Sequence, residues 1–211
     1  MAGEDGRDDS LKRLAAAEPL PRAEPQDPDW PRKLRERLER DYPEIDFRGM
    51  TIQEMDAAID AYLQSREDRL IEWLGGAGPA AYHRCALDWN WDDGLKVLRW
   101  IIAQPDCDSG TAIHLLAAAD AFEFRNYESL EAIEAAGLYD MDSVRFMIEI
   151  CERWAAGQYK EYRFRPWDVP LLNPDSRPWP VPRGLARAEM QGEVLDIGEW
   201  DSGYPPELRD R

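Results

Sequence analysis

The amino-acid sequence predicts an all-α protein: an antiparallel helix bundle or stacked helix pairs, with a disordered acidic arm before it and an irregular Pro/Trp-rich extension after it. Three observations carry that expectation. Apolar residues between Trp30 and Ala156 recur three and four positions apart, the period at which side chains share one helix face. Most of these stretches open on Ser, Thr, Asp or Asn and close on Gly or Pro, the residues that satisfy or terminate helix ends. The one alternating run, Lys160 to Arg165, is short and has no evident partner strand, so helices are expected to pack on helices.

The elements follow in order. Residues 1 to 30 are acidic and punctuated by Pro19, Pro21, Pro25 and Pro28, which deny a helix its amides and its backbone geometry. Pro31 suits a first helical turn, and Leu34 and Leu38 then share a face. After a connector through Pro43, Thr51 and Glu54 form a T-x-x-E capping box. Ile52, Met55, Ile59, Tyr62 and Leu63 follow at helical spacing, Ser65 to Asp68 read as a polar face or a short break, and Gly75 to Pro79 end the helix. Those glycines lack the Lys-Ser/Thr of a phosphate loop and sit in acidic surroundings, so a nucleotide-binding role is rejected.

Ala80 to Leu87 is a short helix, and the segment Trp89-Asn90-Trp91-Asp92-Asp93-Gly94 is a dense helix-start signal. Asp92 or Asp93 is a capping candidate for the stripe Leu95, Leu98, Ile101 and Ile102, which Pro105 stops. Asp108 and Ser109 are cap candidates for the next helix, apolar nearly all round from Ala112 to Ala119 and therefore expected at the centre of the core. Asn126 is a cap candidate for Tyr127 to Ala136, and Asp140 or Asp142 for Val144 to Ala156. The domain plan is a 1–30 arm, a helical domain over 31–165 and an extension over 166–211, where Trp167, Trp179 and Trp200 are possible anchors.

Composition narrows function. The formal charge is −17 and the pI about 4.5, spread as about −4 over 1–30, about −9 over 31–165 and about −4 over 166–211. Such a surface repels phosphate backbones and anionic lipid, so neither nucleic acid nor membrane is an expected partner, whereas a basic protein is steered toward it. Cys85, Cys107 and Cys151 are odd in number and lack C-x-x-C spacing, which argues for reduced thiols in a cytoplasmic protein and against a zinc site. Met1 to Asp9 lacks an apolar signal-peptide core, and no run is long enough to span a membrane.

His83 and His114 are the two histidines. Neither has metal-ligand spacing, and His114 in an apolar helix reads first as a hydrogen-bonded core residue. No metal, cofactor or catalytic residue is expected. Asp88, Asp92, Asp93, Asp106 and Asp108 flank the central helix, but their spacing misses the calcium-loop pattern and helix capping is their favoured duty. Trp89 and Trp91 are expected to clamp the loop onto the core; exposed, the set Trp89, Asn90, Trp91, Asp92 and Asp93 would instead make a binding hot spot.

Asn90-Trp91-Asp92-Asp93-Gly94, followed by Leu95, Leu98, Ile101-Ile102, Pro105, Cys107-Asp108 and Gly110-Thr111-Ala112, resembles a bacterial family known as domain of unknown function 4274. The resemblance covers about Tyr82 to Phe124. It departs from the family pattern at Asp88-Trp89 and at Leu115 to Ala118. It implies a helix pair and carries over no catalytic residue.

Two functions are expected from these features. The first is a non-enzymatic bacterial interaction protein, such as a toxin-neutralising immunity protein or another acidic inhibitor of a basic partner. The second is a small enzyme or ligand-binding module using Asp92, Asp93 and His114, with a thiol, in a cleft between the central helices.

Overall fold

The computed structural model describes residues 29–119, 123–137, 140–169 and 178–209. Of the expected acidic arm over 1–30, residues 1–28 lie outside the described residues, and Trp30 already belongs to the first helix. Among those described the protein is helical, with isolated β-bridges in place of a sheet. The chain divides into two compact units, one ending at Tyr62 and one running from Leu63 to Arg211.

In the first unit, α1 (Trp30–Asp41) carries a proline in its opening turn and buries no residue completely. The Arg35 guanidinium donates to the Met50 carbonyl at 3.0 Å, and Tyr42 meets Tyr62 edge-on with ring centroids 6.1 Å apart. Helix α2 (Ile52–Ala77) begins with a reciprocal box: the Glu54 amide donates to Thr51 Oγ1 at 3.3 Å, and the Thr51 amide donates to Glu54 Oε2 at 2.7 Å. The dividing point lies within α2, which runs unbroken through Ser65–Asp68 as a polar face. Gly75 and Gly76 are helical too. Termination falls to Gly78, whose φ of 81° suits a residue without a Cβ.

The second unit is built around α5 (Ser109–Ala118), in which every residue from Ser109 to Leu116 is buried. It packs against α3 (Pro79–Leu87) and α7 (Met141–Ala155). Helix α4 (Lys96–Ala103) contributes Val97, Leu98, Ile101 and Ile102, and α6 (Leu130–Ala136) contributes Ile133. Leu70 and Leu74 from the end of α2 complete the helical part of the core. Each such side chain stabilises by roughly 1.5–3 kcal/mol when fully buried.

Residues 178–209 join the same core through Trp179, Val181, Leu185 and Tyr204, with two one-turn helices, α8 (Arg183–Ala186) and α9 (Pro206–Arg209). The run Lys160–Arg165 is extended and does have a partner: Phe164 bridges Glu193 in parallel. The sequence hides that pairing because the second segment carries no alternation of its own.

Three expected caps are corrected. Asn126 ends a 3-10 turn (Glu123–Asn126), and Ser129 caps α6 by accepting from the Ala132 amide at 3.2 Å. Asp92 lies inside a 3-10 turn (Trp91–Asp93) and does not cap α4; Asn90 accepts its amide at 3.3 Å, while α4 starts after Leu95 with no side-chain cap. Ser109 is already helical, and its hydroxyl donates to the Tyr159 carbonyl at 3.2 Å. Asp108 alone caps α5, accepting from the Gly110 amide at 2.9 Å. For α5 and α6 a neighbouring side chain reaches the free amides first, and α4 begins with no side-chain cap at all.

Candidate functional site

Both sequence motifs lie in the second unit, and each fastens a later stretch of chain. In the first, Asn90 closes its own turn: its side-chain amide donates to Asp93 Oδ1 at 3.1 Å and its carbonyl accepts from the Asp93 amide at 3.0 Å. Gly94 leaves the turn with φ 83°. The Trp89 indole donates to the Gly94 carbonyl at 3.0 Å, and its ring stacks on Tyr204 with centroids 6.2 Å apart. Asp88 accepts from the Gly203 amide at 3.3 Å, and a Cβ on Gly203 would sit 2.5 Å from the Trp89 ring. The loop is therefore pinned to the Asp201–Tyr204 turn.

This burial decides between two expected duties for the tryptophans. Trp89 is 5% exposed and is no surface hot spot. Trp91 is half-buried and meets Phe146 edge-on at 6.3 Å. Asn90 and Asp92 are exposed and Asp93 half-buried. Desolvation raises the Asp93 carboxyl above its ordinary value against the opposing pull of Arg66 and Asn90.

The second motif holds the extended 160–165 strap. Asp108 is fully buried, and besides capping α5 it accepts from the Arg163 amide at 2.8 Å and the Phe164 amide at 3.2 Å. The Arg163 guanidinium lies 3.7 Å away and also pairs with Glu161 at 2.9 Å. The Ser109 amide donates to the Glu161 carbonyl at 2.7 Å. Four backbone amides are thus satisfied between one helix start and one strap, where leaving them bare would cost about 1–3 kcal/mol each.

His83 completes the junction. Its Nε2 faces the Arg165 carbonyl at 3.0 Å and must donate there, so Nδ1 accepts from the Thr111 hydroxyl at 2.9 Å. The same ring stacks on Phe164 at 5.4 Å. His114, 6.5 Å from His83, donates from Nε2 to the Ala86 carbonyl at 3.2 Å. Its Nδ1 is buried without a partner. Desolvation takes both imidazoles down to about 4, so both are neutral at pH 7. Nothing in the sequence assigned His83 this role. The one visible signal was Gly110, a helix-weakening residue in the first turn of an otherwise apolar helix.

His114 meets the Ala86 carbonyl and the His83 and Trp167 rings, while Asp93 is held by Asn90. All three cysteines are free and buried; burial raises Cys85 and Cys107 far above the ordinary thiol value and Cys151 to about 11. Among the described residues, no group of three or more His, Cys, Asp or Glu is placed to hold a metal ion. A cleft of about 330 Å³ opens beside the strap between Pro79, Pro105, Asp106, Lys160 and Arg163, with Cys107 and Glu161 also lining it. Its two cations and two carboxylates balance, and Arg163 is already engaged by Glu161 and Asp108.

Residues 77–160 match the family model described as a domain of unknown function, DUF4274. The match is wider than the motif pair itself and ends at the first residue of the strap that the second motif holds. No curated protein and no solved structure matches the chain.

Proposed function

We propose that this chain, whose residues 77–160 form a DUF4274 domain, is a non-enzymatic interaction protein that binds a basic protein partner, as a toxin-neutralising immunity protein or a similar acidic inhibitor would. One observation carries the reading. Asp108 is the single buried carboxylate among the described side chains, so the other described carboxylates of this acidic chain, net charge −17, are at least partly exposed. A surface of that sign steers a cationic protein into encounter and weakens in salt.

The interior chemistry supports the same reading. The two histidines are consumed by junctions within the fold, and the thiols are buried and protonated, as suits a protein of a reducing cytoplasm. No helix among the described residues is long and apolar enough to cross a membrane.

The test is direct association with the product of the adjacent gene, followed by stopped-flow mixing at rising salt. Expected is a complex whose association rate falls by at least about tenfold between 50 and 500 mM salt. An adjacent product that is acidic, or that does not bind at low salt, overturns the immunity reading.

A further inference from the structure

The segment from Glu189 to Glu193 borders the strap. The Glu193 amide donates to the Arg163 carbonyl at 2.7 Å, and its carbonyl accepts from the Arg165 amide at 2.8 Å. Both backbone groups of Glu193 therefore face the strap. The N–H and C=O of the next residue, Val194, make no hydrogen bond among the described residues.

The Val194 side chain is 66% exposed and that of Met190 is 46% exposed, while Leu195 between Val194 and Asp196 is buried. The run from Glu189 to Asp196 is held at both ends: the Tyr162 hydroxyl donates to the Glu189 carbonyl, and Arg84 donates to the Asp196 carbonyl at 2.9 Å. An anchored edge loses little entropy on pairing, which favours association.

Charge names the occupant. From Ala188 to Leu208 the chain has no Lys or Arg, and Glu189, Glu193 and Asp196 are all exposed beside Val194. Carboxylates on an edge discourage pairing with a second copy of the same acidic chain. They attract a strand that alternates cations with small apolar residues. Strand addition of this kind draws affinity from main-chain hydrogen bonds and selectivity from the flanking side chains.

We propose that Met190–Asp196 is a docking edge for an extended basic segment of a partner protein, which pairs its backbone with Val194 and sets its cations against Glu189, Glu193 and Asp196. The proposal rests on the acidic-interaction reading and gives it a place on the surface.

The probe is a ten-residue peptide alternating Lys and Val, titrated into the full chain at low salt with backbone amide shifts as readout; an alternating Glu and Val peptide is the control. Expected are shifts centred on residues 190–196 with the Lys peptide and none with the Glu peptide. Val194→Pro, which removes the amide, and Val194→Lys, which repels the peptide and keeps the backbone, should each weaken binding by at least about tenfold. Their unchanged melting midpoints establish that both variants fold. Lys-peptide shifts elsewhere, no binding at low salt, or wild-type affinity in Val194→Lys overturns the edge. If the adjacent gene's product binds the Val194→Lys chain undiminished, the edge fails while the acidic-interaction reading stands.

Discussion

Gly110 faces the Phe164 carbonyl so closely that a Cβ at position 110 would lie 1.8 Å from the oxygen and 3.0 Å from the Asp108 carboxylate. Backbone, not a flexible side chain, occupies the space. The glycine of D-S-G-T-A is therefore an approach point for a second chain segment, in addition to any part it takes in starting α5.

Gly110→Ala tests this relationship. The methyl group must displace the strap or the helix start, and overpacking of that kind costs about 1–3 kcal/mol, more where backbone cannot yield. A loss of about 3 kcal/mol or more in urea unfolding is expected. The helix propensity of Ala works in the opposite direction by up to about 1 kcal/mol, so a net stabilisation would show that the strap is not seated there.

Asp108→Ala removes the cap of α5 and uncovers the Arg163 and Phe164 amides together. The expected cost is about 3–5 kcal/mol, above that of an ordinary cap. Proteolysis should cut variant chains between 158 and 165 faster than wild type, since that run loses its anchor. Equal cleavage would place the strap's stability elsewhere.

Trp89→Phe separates the two duties of the indole. Phenylalanine keeps an aromatic face toward Tyr204 but cannot donate to the Gly94 carbonyl. About 1–2 kcal/mol should be lost by chemical denaturation, against about 3–5 kcal/mol for Trp89→Ala. Similar losses in both variants would mean that the hydrogen bond, and not packing, holds the loop.

Acid should destabilise the fold through the histidines. Their folded values, about 4, lie below the ordinary 6.5, so between those limits the unfolded chain binds more protons than the native one. Stability is then fully present above about pH 6.5 and falls as pH drops toward 4, by at most about 1.4 kcal/mol per pH unit for each histidine. His114→Leu also removes the unpartnered Nδ1 and should reduce the slope in this window by about half. A melting midpoint with unchanged pH dependence would contradict the neutral, buried state of His114.

Thiol labelling offers a further check. Buried, protonated Cys85, Cys107 and Cys151 should react with a maleimide only as the protein opens. Labelling rates should therefore rise with denaturant in step with unfolding, and rapid labelling of Cys107 in the native state would show that the cleft beside it opens.

The sequence by itself determined the all-α class, the centrality of α5 and the box at Thr51 and Glu54, because helical periodicity and capping act over three or four residues. It also contained the motif pair at Asn90–Gly94 and Asp108–Ala112, which lies within the stretch 77–160 that matches the DUF4274 family model. Tertiary structure decided what those motifs hold. Asp108 to Phe164, His83 to Arg165, Trp89 to Tyr204 and Glu193 to Arg163 each join positions about 30 or more residues apart. No local pattern specifies such a partner, because a buried amide or ring can be satisfied by any segment the packing brings within about 3–4 Å.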